Sequence, residues 1–228
     1  MARSVAEGNE TTESPACRQA GNAKKMKHFL LIFISIFLVS CASSRFDSNF
    51  APVYVTNTSK FGILSTAEAD TPLDAVQRMT AKFGEQSFDF DVYVISDSSQ
   101  LSMTIFNEFG TTMASLFYDG ASLEFDSSVF PKNLKAEYIV ADFQFCLYRA
   151  NSLKSALANI GVDFEISTAK GTDGTSTESR ILSKKGKIIS KITKSYGINK
   201  KTGREEVKSI YYENFLRAYS YLLTGVEE

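Results

Sequence analysis

Between Ser87 and Ser96 every second side chain turns to the same side of an extended chain. Phe88, Phe90, Val92 and Val94 fall on one face, and Asp89, Asp91, Tyr93 and Ile95 on the other. A period of two does not suit a helix and commits this stretch to a half-buried strand. After a turn at 97–100, Leu101, Met103 and Ile105 alternate with Ser102, Thr104 and Phe106, and a further strand is expected from Thr112 to Tyr118 after Gly110. Asp119-Gly120 predicts a tight type I′ turn between 116–118 and 121–125, because glycine accepts the positive φ such a hairpin requires. These strands form an antiparallel meander.

Beyond Pro131 the spacing changes. Leu134, Tyr138, Ile139, Phe143, Cys146 and Leu147 recur at helical intervals, which predicts an amphipathic helix. Asn151 is read as the N-cap of a second helix over 152–160 that Gly161 ends. Strand character returns at 162–167, and 180–183 is expected to pair across Lys184-Lys185-Gly186 with 187–196. Strands at 207–212 and 216–223 complete the reading, the last with a composition that also suits a helix. No fixed-period repeat is visible, which argues against a propeller or solenoid. The expected class is mainly β (α+β), with two helices inserted between groups of strands.

Near the other end, Lys24, Lys25 and Lys27 precede an eleven-residue, almost wholly apolar run from Phe29 to Val39, and Leu38-Val39-Ser40-Cys41 closes it. A cationic n-region, an h-region of about 7–15 residues and a small residue before a cysteine make a bacterial lipoprotein signal. The run is shorter than the ~20 residues of a spanning helix. The expectation is cleavage before Cys41 and lipidation of its thiol. Residues 1–25 are read as an upstream extension with translation starting at Met26, 26–40 as the signal peptide, 41–72 as a lipidated tether that is polar apart from short apolar runs at 53–55 and 61–64, and 73–225 as one domain.

This division excludes several functions. Cys17 falls in the extension and Cys41 takes the lipid, which leaves Cys146 alone and no internal disulfide. The sole histidine, His28, lies in the signal. The mature chain therefore has no Ser-His-Asp or Cys-His arrangement and lacks the commonest zinc ligand. No catalytic residue, metal or cofactor is expected, and the chain is read as a non-enzyme. Lys and Arg number six against fourteen Asp and Glu over 41–142, and fourteen against nine from 143 onward. An acidic front and a net negative charge argue against nucleic acid as a partner.

The segment from Thr80 to Leu223 resembles the bacterial lipoprotein family called domain of unknown function 3261. Tyr118-Asp119-Gly120 carries part of the match. Leu134, Tyr138, Ile139, Val140, Ala141, Asp142, Gln144, Leu147 and Tyr148 in the first helix carry most of it, followed by a basic hairpin ending in paired aromatics. Tyr148 stands where the family commonly has tryptophan. The resemblance implies a fold like the carriers LolA and LolB, an incompletely closed antiparallel β-barrel around an apolar cavity lidded by helices. It also implies a setting near genes for aryl polyene lipids.

Under that reading Phe88, Phe90, Val92, Val94, Leu101, Met103 and Ile105 are candidate cavity-lining residues, with Tyr138, Ile139 and Phe143 as the lid. The same residues would equally close-pack into a solid core. Asp142 is a candidate structural polar group, accepting hydrogen bonds that hold the helix against a strand edge, or else a ligand contact. Asp89 and Asp91 share a strand face as a solvated pair. Lys184, Lys185 and Lys187 head a basic run, reaching Lys194 and Arg204, that either solvates an edge strand or meets anionic headgroups or an acidic partner. The expected function is a lipid-anchored lipoprotein at the outer membrane, facing the periplasm, that binds or localises a lipid or other amphiphile. Docking of an envelope protein partner is the alternative.

Overall fold

The computed structural model describes residues 50–226 apart from 131, 173 and 174. The signal, the lipobox and Cys41 lie outside the described residues. Twelve strands and two helices follow in chain order: β1 Val53–Tyr54, β2 Lys60–Phe61, β3 Leu73–Phe83, β4 Gln86–Ser96, β5 Leu101–Phe106, β6 Thr112–Tyr118, β7 Leu123–Ser127, α1 Ala136–Leu147, α2 Ala150–Ala158, β8 Asp163–Lys170, β9 Ser176–Lys184, β10 Lys187–Ile198, β11 Glu205–Asn214 and β12 Tyr219–Gly225. Ten of them make one antiparallel sheet in the order β7-β6-β5-β4-β3-β12-β11-β10-β9-β8. The sheet is not closed, since β7 and β8 are its two edges. Register shifts at Ile105/Phe106, Ile188/Ser190 and Ser195/Tyr196 mark bulges, which bend strands and sharpen their twist.

One face of the sheet carries the core. Met79 and Ala81 on β3, Val92 and Val94 on β4, Leu101, Met103 and Ile105 on β5, and Tyr221 and Leu223 on β12 are all buried. Against them lies α1, whose residues 140, 141 and 143–147 are buried. A helix apolar nearly all round belongs inside a protein. Its outer side is covered by residues 50–72, which are packed rather than extended as a tether: Val53, Val55, Phe61, Ile63 and Leu64 are buried. Gln144 fixes this segment like a strand neighbour, accepting from the Leu64 N–H and donating to the Leu64 carbonyl, both at 2.8 Å. Fully burying each such aliphatic side chain stabilises the fold by ~1.5–3 kcal/mol.

Several expected boundaries shift. The β6–β7 connection is a four-residue loop, with Tyr118 opposite Leu123, because the Asp119 carboxylate accepts from the Ala121 and Ser122 N–H groups and organises a wider turn. The two-residue turn with two positive φ angles is Lys185-Gly186, at 52° and 75°. Helix α2 starts at Ala150, with Arg149 rather than Asn151 at the N-cap position. The last strand begins at Tyr219, after a turn in which Ala218 has φ 53°. Strand β3 is absent from the sequence reading. Its inward positions include Ala75, Gln77 and Ala81, while Val76 faces out, so the alternation is weak.

Candidate functional site

The inward positions expected to line a cavity divide in two. Val92, Val94, Leu101, Met103 and Ile105 are at most 2% exposed. They belong to one buried cluster with Val140, Ala141, Phe143, Phe145, Cys146 and Leu147 of α1. Phe143 stacks on Tyr221 with 6.0 Å between ring centres, and Phe145 lies 5.0 Å from Phe61. Tyr138 and Ile139 are half-buried, Tyr138 lying under the Arg217 guanidinium, which is 4.2 Å from its ring centre.

Phe88 and Phe90 have the inward parity but lie toward the β3–β4 hairpin tip, beyond the helix. Phe88 is 42% exposed and Phe83 44%. Their rings start a file that runs inward: Phe90 to Phe88 at 6.2 Å, Phe88 to Phe83 at 6.4 Å, Phe83 to Tyr219 at 5.9 Å, then Tyr212 and Tyr221. The inward face is thus exposed and aromatic toward the hairpin tip and buried beyond it.

The file ends on Asp142. The Tyr212 hydroxyl donates to Asp142 Oδ1 at 2.7 Å and the Tyr219 hydroxyl donates to Oδ2. Both tyrosines stand on β11 and β12, in the interior of the sheet rather than at an edge. Burial pushes the Asp142 carboxyl up to about 6, with the two tyrosines and Arg217 opposing the rise. Cys146, one turn further along α1, is buried with its Sγ 3.5 Å from the Tyr221 hydroxyl, and burial raises its thiol to about 12. A thiol so held is not a nucleophile at neutral pH.

A second buried polar group holds the end of α1. Arg180 Nη1 donates to the carbonyls of Phe145 and Tyr148, at 3.0 and 2.8 Å, satisfying orphan groups where the helix dipole is negative. Glu178 accepts from Arg180 Nε and Lys194 Nζ, each at 2.7 Å. Burial works against the charge of Glu178, but the two cations prevail and hold it below the usual carboxylate range. Lys194, expected among solvated lysines, is buried instead. Its strand face is shared with Ile192 and that of Arg180 with Leu182, a parity signal that charge alone obscured.

Lys184, Lys185 and Lys187 flank a cleft of about 450 Å³ lined also by Thr56, Thr58, Ile188, Phe215 and Leu216, among others. Lys184 Nζ donates to the hydroxyls of Ser59 and Thr58, at 2.6 and 3.2 Å. Strands β9 and β10 are interior to the sheet, so these lysines do not protect an edge. Asp89 and Asp91 lie on the opposite face, where Asp89 accepts from Thr80 at 2.6 Å and Asp91 pairs with Arg78 at 2.9 Å. Among the described residues no group of three or more Asp, Glu, His or Cys could hold a metal, and no helix is long and apolar enough to cross a membrane.

No curated protein matches the chain. A family model described as "Protein of unknown function (DUF3261)" matches residues 74–223, the span from β3 into β12. The chain therefore belongs to the DUF3261 family of proteins of unknown function.

Proposed function

We propose that this chain is a non-enzymatic, LolB-like lipoprotein, anchored through Cys41 at the outer membrane on its periplasmic side, that binds or helps localise a lipid or other amphiphile. Aryl polyene or related lipids are the candidate cargo. The observation that carries the reading is the uncovered end of the concave face, where Phe83, Phe88 and Phe90 expose a continuous row of rings. Acyl or polyene chains gain roughly 0.8 kcal/mol per buried methylene and need few directional contacts, so such a row suits them. The ligand would lie against these rings at the mouth, next to the buried cluster that α1 shares with the sheet.

The test is lipid extraction and native mass spectrometry of the full chain purified from membranes in mild detergent. A co-purifying amphiphile that is lost on Phe83→Ser/Phe88→Ser substitution is expected. Wild-type protein carrying nothing beyond the detergent control would refute the reading. A second reading, docking of an envelope protein, draws support from β8. That edge strand buries only Phe164 and pairs with β9 alone, which leaves a backbone row open to strand addition.

A further inference from the structure

We infer that the rim built by the β9–β10 and β11–β12 turns is a docking face for an anionic lipid bilayer. These turns converge through hydrogen bonds. The Phe215 N–H donates to the Ile189 carbonyl at 2.9 Å, and the Gly84 N–H of the β3–β4 tip donates to the Ala218 carbonyl at 3.2 Å. The β11–β12 turn is further fixed by Arg217, whose N–H donates to Asn214 Oδ1 at 3.0 Å and whose guanidinium covers Tyr138. The rim is therefore preorganised and loses little freedom on contact.

Its chemistry has two halves. Ile188, Phe215 and Leu216 are 45%, 49% and 43% exposed, large apolar side chains carried on or beside turns. Beside them stand Lys184, Lys185 and Lys187, lining the same cleft. No ion pair found among the described residues involves these three lysines. A small phosphate ion would use the lysines and leave the apolar tips in water, and an uncharged surface would do the reverse. An anionic interface accepts both at once, cations at the headgroups and apolar tips at the acyl boundary. This contact is separate from ligand binding at the aromatic mouth and holds whether or not a ligand is found there.

The chain contains no tryptophan, so one introduced at the rim reports alone. Full chain carrying Leu216→Trp is mixed with vesicles of phosphatidylglycerol and brominated phosphatidylcholine, and full chain carrying Phe117→Trp, at the far end of β6, serves as reference. The expected result is a blue shift and loss of emission for Leu216→Trp alone. That loss should weaken with added salt, and disappear when Lys185→Glu and Lys187→Glu are added in a variant whose circular dichroism is unchanged. Equal quenching at both positions, or quenching at 216 that is the same on purely zwitterionic vesicles and survives the charge reversal, would overturn the inference.

Discussion

Two carboxylates are sequestered against α1, and they are treated in opposite ways. Asp142, at mid-helix, is met by two tyrosine hydroxyls, whereas Glu178, near the helix end, is met by a guanidinium and an ammonium. Hydroxyls satisfy lone pairs without supplying charge, so burial dominates and the Asp142 carboxyl rises to about 6. Full cations outweigh desolvation at Glu178, which falls below its ordinary value. Two carboxylates, one on α1 and one on β9 beside the end of that helix, thus titrate with opposite consequences. Burial alone would raise both, and charged partners are what reverse the sign at Glu178.

The contrast breaks most severely at Glu178. Substituting Glu178→Ala leaves Arg180 and Lys194 in the interior with no counter-charge, and removing one partner of a buried pair costs ~3–5 kcal/mol. Urea unfolding would read this directly, and a loss under ~1 kcal/mol would mean that the trio is not a coupled network. Smaller is the effect at Asp142. Its folded-state value lies above 3.8, so the folded protein holds this proton more tightly than the unfolded chain, and stability falls as pH rises from about 4 to about 6. The cost above pH 6 is at most ~3 kcal/mol, reduced where solvent reaches the carboxylate. Asp142→Asn should therefore gain on wild type across that window, and parallel profiles would count against it. Glu178 has the opposite sign: its contribution is present above about 4.5 and lost as pH falls through its lowered value.

Tyr219→Phe sharpens the same comparison at lower cost. It removes one hydroxyl from Asp142 while keeping the ring stack, which predicts a loss of ~1.5–3 kcal/mol above pH 6, where the acceptor is charged, and a smaller loss near pH 4. Smallest of all, Phe88→Ser at the open mouth should change the thermal midpoint little, within ~0.5 kcal/mol, while removing any co-purifying amphiphile.

The sequence reads these regions unequally. Alternation over 87–96 and 101–105 locates β4 and β5 because each has a clean apolar face, and helical spacing from Leu134 to Leu147 locates α1. Asp142 stands out as a charge among apolar neighbours on that helix. Glu178, Arg180 and Lys194 do not, because in a basic stretch a charged residue is read as solvated unless its face is compared with Ile192 and Leu182. Strand β3 is hidden by its alanines and by the inward Gln77. Residues 50–72 are hidden because strands of two residues have no period, and their partners, Gln144 and Ile160, lie 80 and 101 positions away. Whether the concavity is filled depends on side-chain volume across three layers, which no single-strand pattern carries.

The clasp between Leu64 and Gln144 also bears on the order of events during synthesis. Residues 50–64 leave the ribosome well before the helix they cover, and two further partners, Ile160 and Lys184, come later still. Apart from the pairing of β1 with β2 inside the segment and the Tyr118 hydroxyl that donates to the Leu64 carbonyl, these partners come from α1 onward. The segment nearest Cys41 is therefore made early and docked late, and a protein released before α1 has formed would expose Val53, Phe61 and Ile63 as adhesive surface.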